Sequence, residues 1–232
     1  LTDGQGVAMG YLGPIGSPAI SKIFWERDET ETFIFNNAYS HHLRKPEELH
    51  FMNTRVPYSR IDYYRSGNNR TREDRFDARL ASNFGKSLNV GFDVDLINAR
   101  GHYNSQATRH NNFSLFGNYL SERIEAHAYM NIGKISNFEN GGITDEVFIT
   151  DPDAVQQQFT SRDIPVKFVN TWNTVGNNRF FLSGRYNLGY HETTGDSLHR
   201  GTRTFVPVAS VSFSSSYTKQ FRRFLSHDTT LV

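Results

Sequence analysis

Apolar and polar side chains alternate with period two through most of the chain after residue 57. From Asn112 to Gly133, Phe113, Leu115, Gly117 and Tyr119 oppose Ser114 and Asn118. After Ser121 to Arg123 the pattern resumes, with Ile124, Ala126, Ala128, Met130 and Ile132 opposing Glu125, His127, Tyr129 and Asn131. This predicts two long strands joined by a very short turn. Upstream, Val90, Phe92, Val94 and Leu96 alternate with Asn89, Gly91, Asp93 and Asp95, the cleanest run in the chain. Two earlier runs set Ile61 and Tyr63 against Arg60 and Asp62, and Phe76, Ala78, Leu80 and Ser82 against Asp77, Arg79 and Asn83. Two later ones set Phe180, Leu182, Gly184, Tyr186, Leu188 and Tyr190 against Arg179, Ser183, Arg185 and Asn187, and Phe205, Ala209, Val211, Phe213 and Tyr217 against alternate serines from Ser210 to Ser216. Residues 1–57 show no such order. They offer a short alternation near Ile20 to Trp25 and a helical turn opened by Pro46.

Connections between the strands alternate in length: ten residues, two or three, twelve, three, forty-four (134–177), then about thirteen (191–203). Strands of roughly 9 to 13 residues suit a tilted bilayer crossing better than the usual soluble strand of about 5–6. The expected fold is all-β: an antiparallel up-and-down transmembrane β-barrel, incomplete in this chain, with short turns at one end and long loops at the other. Residues 1–57 form an irregular leading segment and 58–232 the wall. The strands repeat in style without a fixed period, which argues against a propeller or solenoid. Composition narrows the environment. Only 37% of residues are hydrophobic and the mean hydropathy is −0.58, so no helix spans a membrane, whereas alternating barrel strands keep mean hydropathy low. The chain has no cysteine, hence no disulfide or thiolate site, and a net charge of +1 without basic blocks, so no nucleic acid is expected as a partner. It starts at Leu1, as a mature form or a fragment would.

Several words carry a resemblance. They are LGPIGSPA (Leu12 to Ala19), PEELHFMNTRVPYSRIDYY (Pro46 to Tyr64), the run from Gly91 to Gly133, ENGGITD (Glu139 to Asp145), ITDP (Ile149 to Pro152) and RYNLGY (Arg185 to Tyr190). In order and spacing the chain resembles the putative porin family of Bacteroidota outer membranes. The resemblance implies a barrel in the bacterial outer membrane, a diffusion channel, and no catalytic motif. It also implies membrane lipid, lipopolysaccharide and other outer-membrane proteins as partners. Members are longer than this chain, which therefore reads as the N-terminal part of a larger barrel.

In a barrel one face of each strand meets lipid and the other the lumen. The alternation places Asp62, Asp77, Arg79, Asp93, Asp95, Glu125, His127, Arg179 and Arg185 toward the lumen, a mixed lining that suits a weakly selective water path. The alternative is a lumen plugged by cross-strand ion pairs. Val90, Phe92, Val94, Leu96, Leu115, Tyr119, Met130, Leu182, Tyr186 and Phe213 are expected toward lipid. Tyr63, Tyr64, Phe84, Phe113, Tyr119, Tyr186, Tyr190, Phe205, Tyr217 and Phe221 cluster near strand ends, as interfacial girdles do. Catalysis, cofactors and metals are not expected. The pair Asp93 and Asp95 lacks a partner motif for acid–base work, and there is no GxSxG elbow or phosphate-cradling glycine loop. Asp145, Glu146, Asp151 and Asp153 match no EF-hand spacing, and His41, His42 and His50 match no zinc spacing. The first functional expectation is passive diffusion of small hydrophilic solutes, with loop 134–177 folding over the pore mouth or contacting a partner. A second is a structural or assembly subunit of a larger outer-membrane complex. A third is a soluble all-β glycan-binding module using Trp25 and Trp172 as stacking platforms.

Overall fold

The computed structural model describes residues 8–27, 32–44, 49–155, 159–194 and 202–228. The helical turn expected at Pro46 lies outside the described residues, as does the middle of the link 191–203. A small ribbon of β1 (Met9–Tyr11) and β2 (Ala19–Ser21) comes first. The expected strand near Ile20 to Trp25 therefore stops at Ser21, and a 3-10 turn, Phe24–Glu26, follows it. A nine-residue 3-10 helix spans Ile34–His42. The main element is a seven-stranded antiparallel meander in chain order. It comprises β3 (Tyr58–Ser66), β4 (Glu73–Phe84), β5 (Leu88–Arg100), β6 (Ala107–Leu120), β7 (Ile124–Phe138), β8 (Thr171–Thr194) and β9 (Thr202–Ser226). The end strands β3 and β9 do not pair with each other, so the sheet is an open antiparallel wall, and among the described residues no helix is long and apolar enough to cross a membrane.

Turns 85–87 and 121–123 lie at one end of the wall. Loops 67–72, 101–106 and 139–170 lie at the other. These loops are shorter than the alternation suggested, and β8 and β9 reach 24 and 25 residues rather than the expected 9 to 13. The hydrogen-bonded ladder continues where hydrophobic contrast stops. Lys134 pairs with Gly176, Ser136 with Thr174 and Asn137 with Asn173, so polar residues stand on both faces at the loop end while the backbone stays paired. A second departure lies in β9. A bulge opposite Leu188 and Gly189 inserts Val208, so Phe205 pairs with His191 and joins the face opposite Val211 and Phe213.

Burial in this sheet is inverted relative to a water-soluble one. On β6, Thr108, His110, Ser114, Phe116 and Asn118 are buried while Phe113, Leu115 and Tyr119 are exposed. On β5, Asn89 and Asp93 are buried while Leu88, Phe92 and Leu96 are exposed. The cover is the leading segment, whose described residues 8–27, 32–44 and 49–56 lie across the polar face as a strap. Tyr39 and Leu43 pack on Ile135 and Val175, and Leu49, Phe51 and Met52 pack on Ala81, Phe116 and Tyr129. Gly91 makes room for this second cluster: a Cβ there would lie 2.5 Å from the Phe116 ring.

Candidate functional site

Register puts all nine residues expected toward the lumen on the polar face. One row runs Asp62, Asp77, Asp95, Asn112, Gly133, Asn177, each directly opposite the next. The adjacent row runs Arg60, Arg79, Asp93, Ser114, Asn131, Arg179. Toward the turn end, His127 opposes Ser183 and Glu125 opposes Arg185. The ten residues expected toward lipid all lie on the other face. There Phe92 opposes Leu115, Leu115 opposes Met130, and Tyr186 opposes Val211.

Three carboxylates side by side in one row would repel, and cross-strand arginines neutralise them. Arg75 forks onto Asp95 with two contacts of 3.1 Å, and Arg79 meets Asp93 at 2.5 and 2.8 Å. Arg60 bridges Asp62 and Asp77, each at 2.8 Å. Arg44, from the strap, reaches Asp77 at 3.1 Å and Asp95 at 3.4 Å. Four aspartates thus meet four arginines, and this patch carries no net sign. Glu125, His127, Arg179 and Arg185 form a separate, looser group. Asn187 donates to Glu125 at 3.4 Å, Arg179 donates to Asn177 at 3.4 Å, the His127 ring stacks edgewise on Phe51 at 4.8 Å, and Arg185 is exposed.

The strap runs the full height of the wall. At the loop end Gln106 donates to the Leu12 carbonyl at 2.9 Å and Glu73 accepts from the Ile15 amide at 2.9 Å. Next, the His110 ring meets the Gly16 carbonyl at 2.7 Å. Gly16 has φ +82°, and a Cβ on it would lie 2.9 Å from His110 Nε2, so both its conformation and its contact require glycine. The His42 ring packs edge-on to His110 at 5.0 Å and its Nε2 donates to the Ser17 carbonyl at 3.3 Å. Burial, with the nearby charges of His41 and Arg75, lowers the His42 pKa to about 4, against an opposing pull from the Ser17 carbonyl and Asp95. Asn137 donates to the Tyr39 hydroxyl, and burial with the charge of Glu139 pushes that phenol up to about 12. At the turn end the Thr54 amide donates to Asn83 at 3.2 Å, and the chain then enters β3.

The described parts of loop 139–170, residues 139–155 and 159–170, are folded. Gly142 and Lys167, and Asn140 and Phe168, are joined by backbone hydrogen bonds that extend the β7–β8 hairpin, and a short helix, Val147–Thr150, sits at its far part. Arg162 donates to the carbonyls of Arg70 and Gly101, and Ser105 donates to Val169, so the loop leans on its two neighbours. Asp145 caps the Val147 amide at 2.9 Å. Trp25 is 85% exposed on its 3-10 turn, whereas Trp172 packs edge-to-face on Phe138 at 4.3 Å on the apolar face.

The residues that sequence reasoning passed over are Arg44, Arg60, Arg75, His110 and Phe116. Extending the alternation of β4 back by one step brings in Arg75, and that of β6 brings in His110. Nothing local marks Arg44, whose partners lie 33 and 51 residues away.

No curated protein and no solved structure matches the chain. Residues 1–231 match the family model described as "Putative porin". That match covers nearly the whole chain and agrees with the all-β antiparallel wall and its inverted burial; the chain belongs to the Putative porin family, with the porin-type outer-membrane role that the family carries.

Proposed function

We propose that the wall is part of an outer-membrane barrel through which small hydrophilic solutes diffuse passively, without covalent chemistry. The polar face lines the lumen and the apolar face meets lipid. One observation carries this reading: polar rows are covered and apolar rows are bare across β4 to β8. A soluble sheet exposing Phe92, Leu96, Leu115, Ile132, Phe180 and Leu182 side by side would aggregate, whereas hydrocarbon is the natural solvent for that face. The same observation weighs against a soluble glycan-binding module. The strap narrows the lumen, and its mixed, mutually neutralised lining suits uncharged or weakly charged solutes.

The strap also favours a second reading, in which the polar face is filled for good and the barrel serves a structural role in a larger envelope complex. Liposome swelling separates the two. The full-length protein, reconstituted in phospholipid liposomes, is expected to admit a monosaccharide faster than a tetrasaccharide. Swelling no faster than protein-free liposomes with every sugar would overturn diffusion and leave the structural role.

A further inference from the structure

Above its apolar belt, the lipid-side face turns cationic at the loop end. There β5 to β9 carry Arg100, Arg109, Lys134, Lys219 and Arg223, and no carboxylate shares those positions. Lys134 sits one step beyond Ile132 and Lys219 one step beyond Tyr217, so the cations begin at the upper edge of the belt, interleaved on β9 with Phe221 and Leu225. All five are exposed, and none makes an ion pair or side-chain hydrogen bond to a described residue. The carboxylate on the neighbouring strand, Asp74, is already engaged by Arg72 and by Tyr63 at 2.9 Å. At the turn end no strand from β3 to β9 carries a cation on this face: Phe84, Leu88, Tyr119, Ile124 and Tyr190 stand there, followed on β8 by Glu192. The asymmetry is therefore one of chemistry as well as loop length.

A second feature sits in the same place. An open cleft of about 430 Å³ lies between Arg100, Arg109, Asn98 and Tyr103, with Trp172 and Phe138 along its wall. Indole and phenyl rings beside guanidinium groups, directly over a hydrocarbon-facing belt, match an amphiphile with an anionic head. Charges on a lipid face cost about 2–4 kcal/mol at mid-depth but about 0–1 kcal/mol near the interface, which explains why the cations stop where they do.

We propose that this rim binds the phosphate groups of a phosphorylated glycolipid of the lipopolysaccharide kind, its acyl chains lying on the belt below. The inference rests on the outer-membrane reading and adds to it the ligand class and the residues. A free anion would have no use for the belt, so a lipid is the ligand to which the geometry commits.

The test uses the full-length protein in nanodiscs, with deep-rough lipopolysaccharide as probe and the same lipid stripped of phosphate as comparison. Binding is read by native mass spectrometry, and insertion is read separately by size-exclusion chromatography. The triple variant R100Q/R109Q/K134Q is expected to bind the phosphorylated probe at least tenfold more weakly, with insertion unchanged. A turn-end pair, K86Q/R123Q, is expected to bind as the parent does. Equal affinity of parent and triple variant, or of the two probes, would overturn the proposal alone. So would displacement of the lipid by inorganic phosphate at matched phosphate concentration, which would indicate a free-anion site. Failure of the parent to enter the nanodisc would overturn the barrel reading, and this one with it.

Discussion

Replacing Leu115 with Arg separates a lipid-facing sheet from a water-facing one. Leu115 is 41% exposed and lies between Phe92 and Met130 on the apolar face. In water, a substitution at so exposed a site typically changes stability by no more than about 0.5 kcal/mol. In a bilayer the depth decides. On β5 the belt runs from Leu88 to Leu96, eight steps or about 27 Å along the strand at about 3.4 Å each. A tilt of about 40° makes that roughly 20 Å of height, and Phe92, the cross-strand partner of Leu115, is its midpoint. An arginine there must cross about 10 Å of hydrocarbon to reach either interface, so Leu115→Arg is expected to cost about 2–4 kcal/mol. Asn111→Arg, opposite Leu96 at the belt's edge, is expected to cost no more than about 1 kcal/mol. Both are measurable by guanidinium titration of the full-length protein folded into short-chain phosphatidylcholine vesicles, following the mobility of unheated samples in SDS gels. Equal costs at the two positions, or a Leu115→Arg variant within about 0.5 kcal/mol of the parent, would refute the assignment of this face to lipid.

Three further outcomes are expected. Asp93→Asn strands the largely covered Arg79, whose side chain is 14% exposed, and should cost about 3 kcal/mol in the same titration. The double change with Arg79→Gln should recover part of that loss, and simple additivity would mean the pair is uncoupled. Above pH 6.5 His42 is neutral whether the strap is docked or free. As pH falls from 6.5 toward 4 the free strap takes the proton first, so docking should weaken by up to about 3 kcal/mol. Hydrogen exchange of residues 32–44 should rise over that window, less so in His42→Gln, and a flat profile in the parent would contradict the burial described. Deleting residues 140–165 should raise single-channel conductance or abolish binding of a partner protein; no change in either would make the loop a passive surface.

Period two was legible wherever one face of a strand is apolar and the other polar, which is why β4 to β7 could be traced from residues alone. It failed at the loop end, because Arg109 and Asn111 alternate there with His110 and Asn112, and polar residues on both faces erase the signal while hydrogen bonding continues. It failed at Phe205 for another reason. One inserted residue, Val208, reverses the side of everything before it, and a bulge leaves no mark in hydropathy. The strap was opaque because its anchors, Tyr39, Leu43, Phe51 and Arg44, each answer to a partner far along the chain and follow no period of their own. The ion-pair ladder was half visible: the carboxylates and Arg79 stood out, but their sharing by Arg60, Arg75 and Arg44 is a matter of register and docking.

The strap joins Gly16 to His110 and Tyr39 to Asn137, contacts that close 94 and 98 residues of chain. Such closures are entropically costly, and folds that depend on them assemble slowly. The strap also enters at the loop end and leaves at the turn end into β3, so a wall sealed first would have to be threaded afterwards. The strap must therefore be laid down while the sheet is still open. Substitutions that loosen it, such as Gly16→Val, should slow folding into the membrane more than they accelerate unfolding.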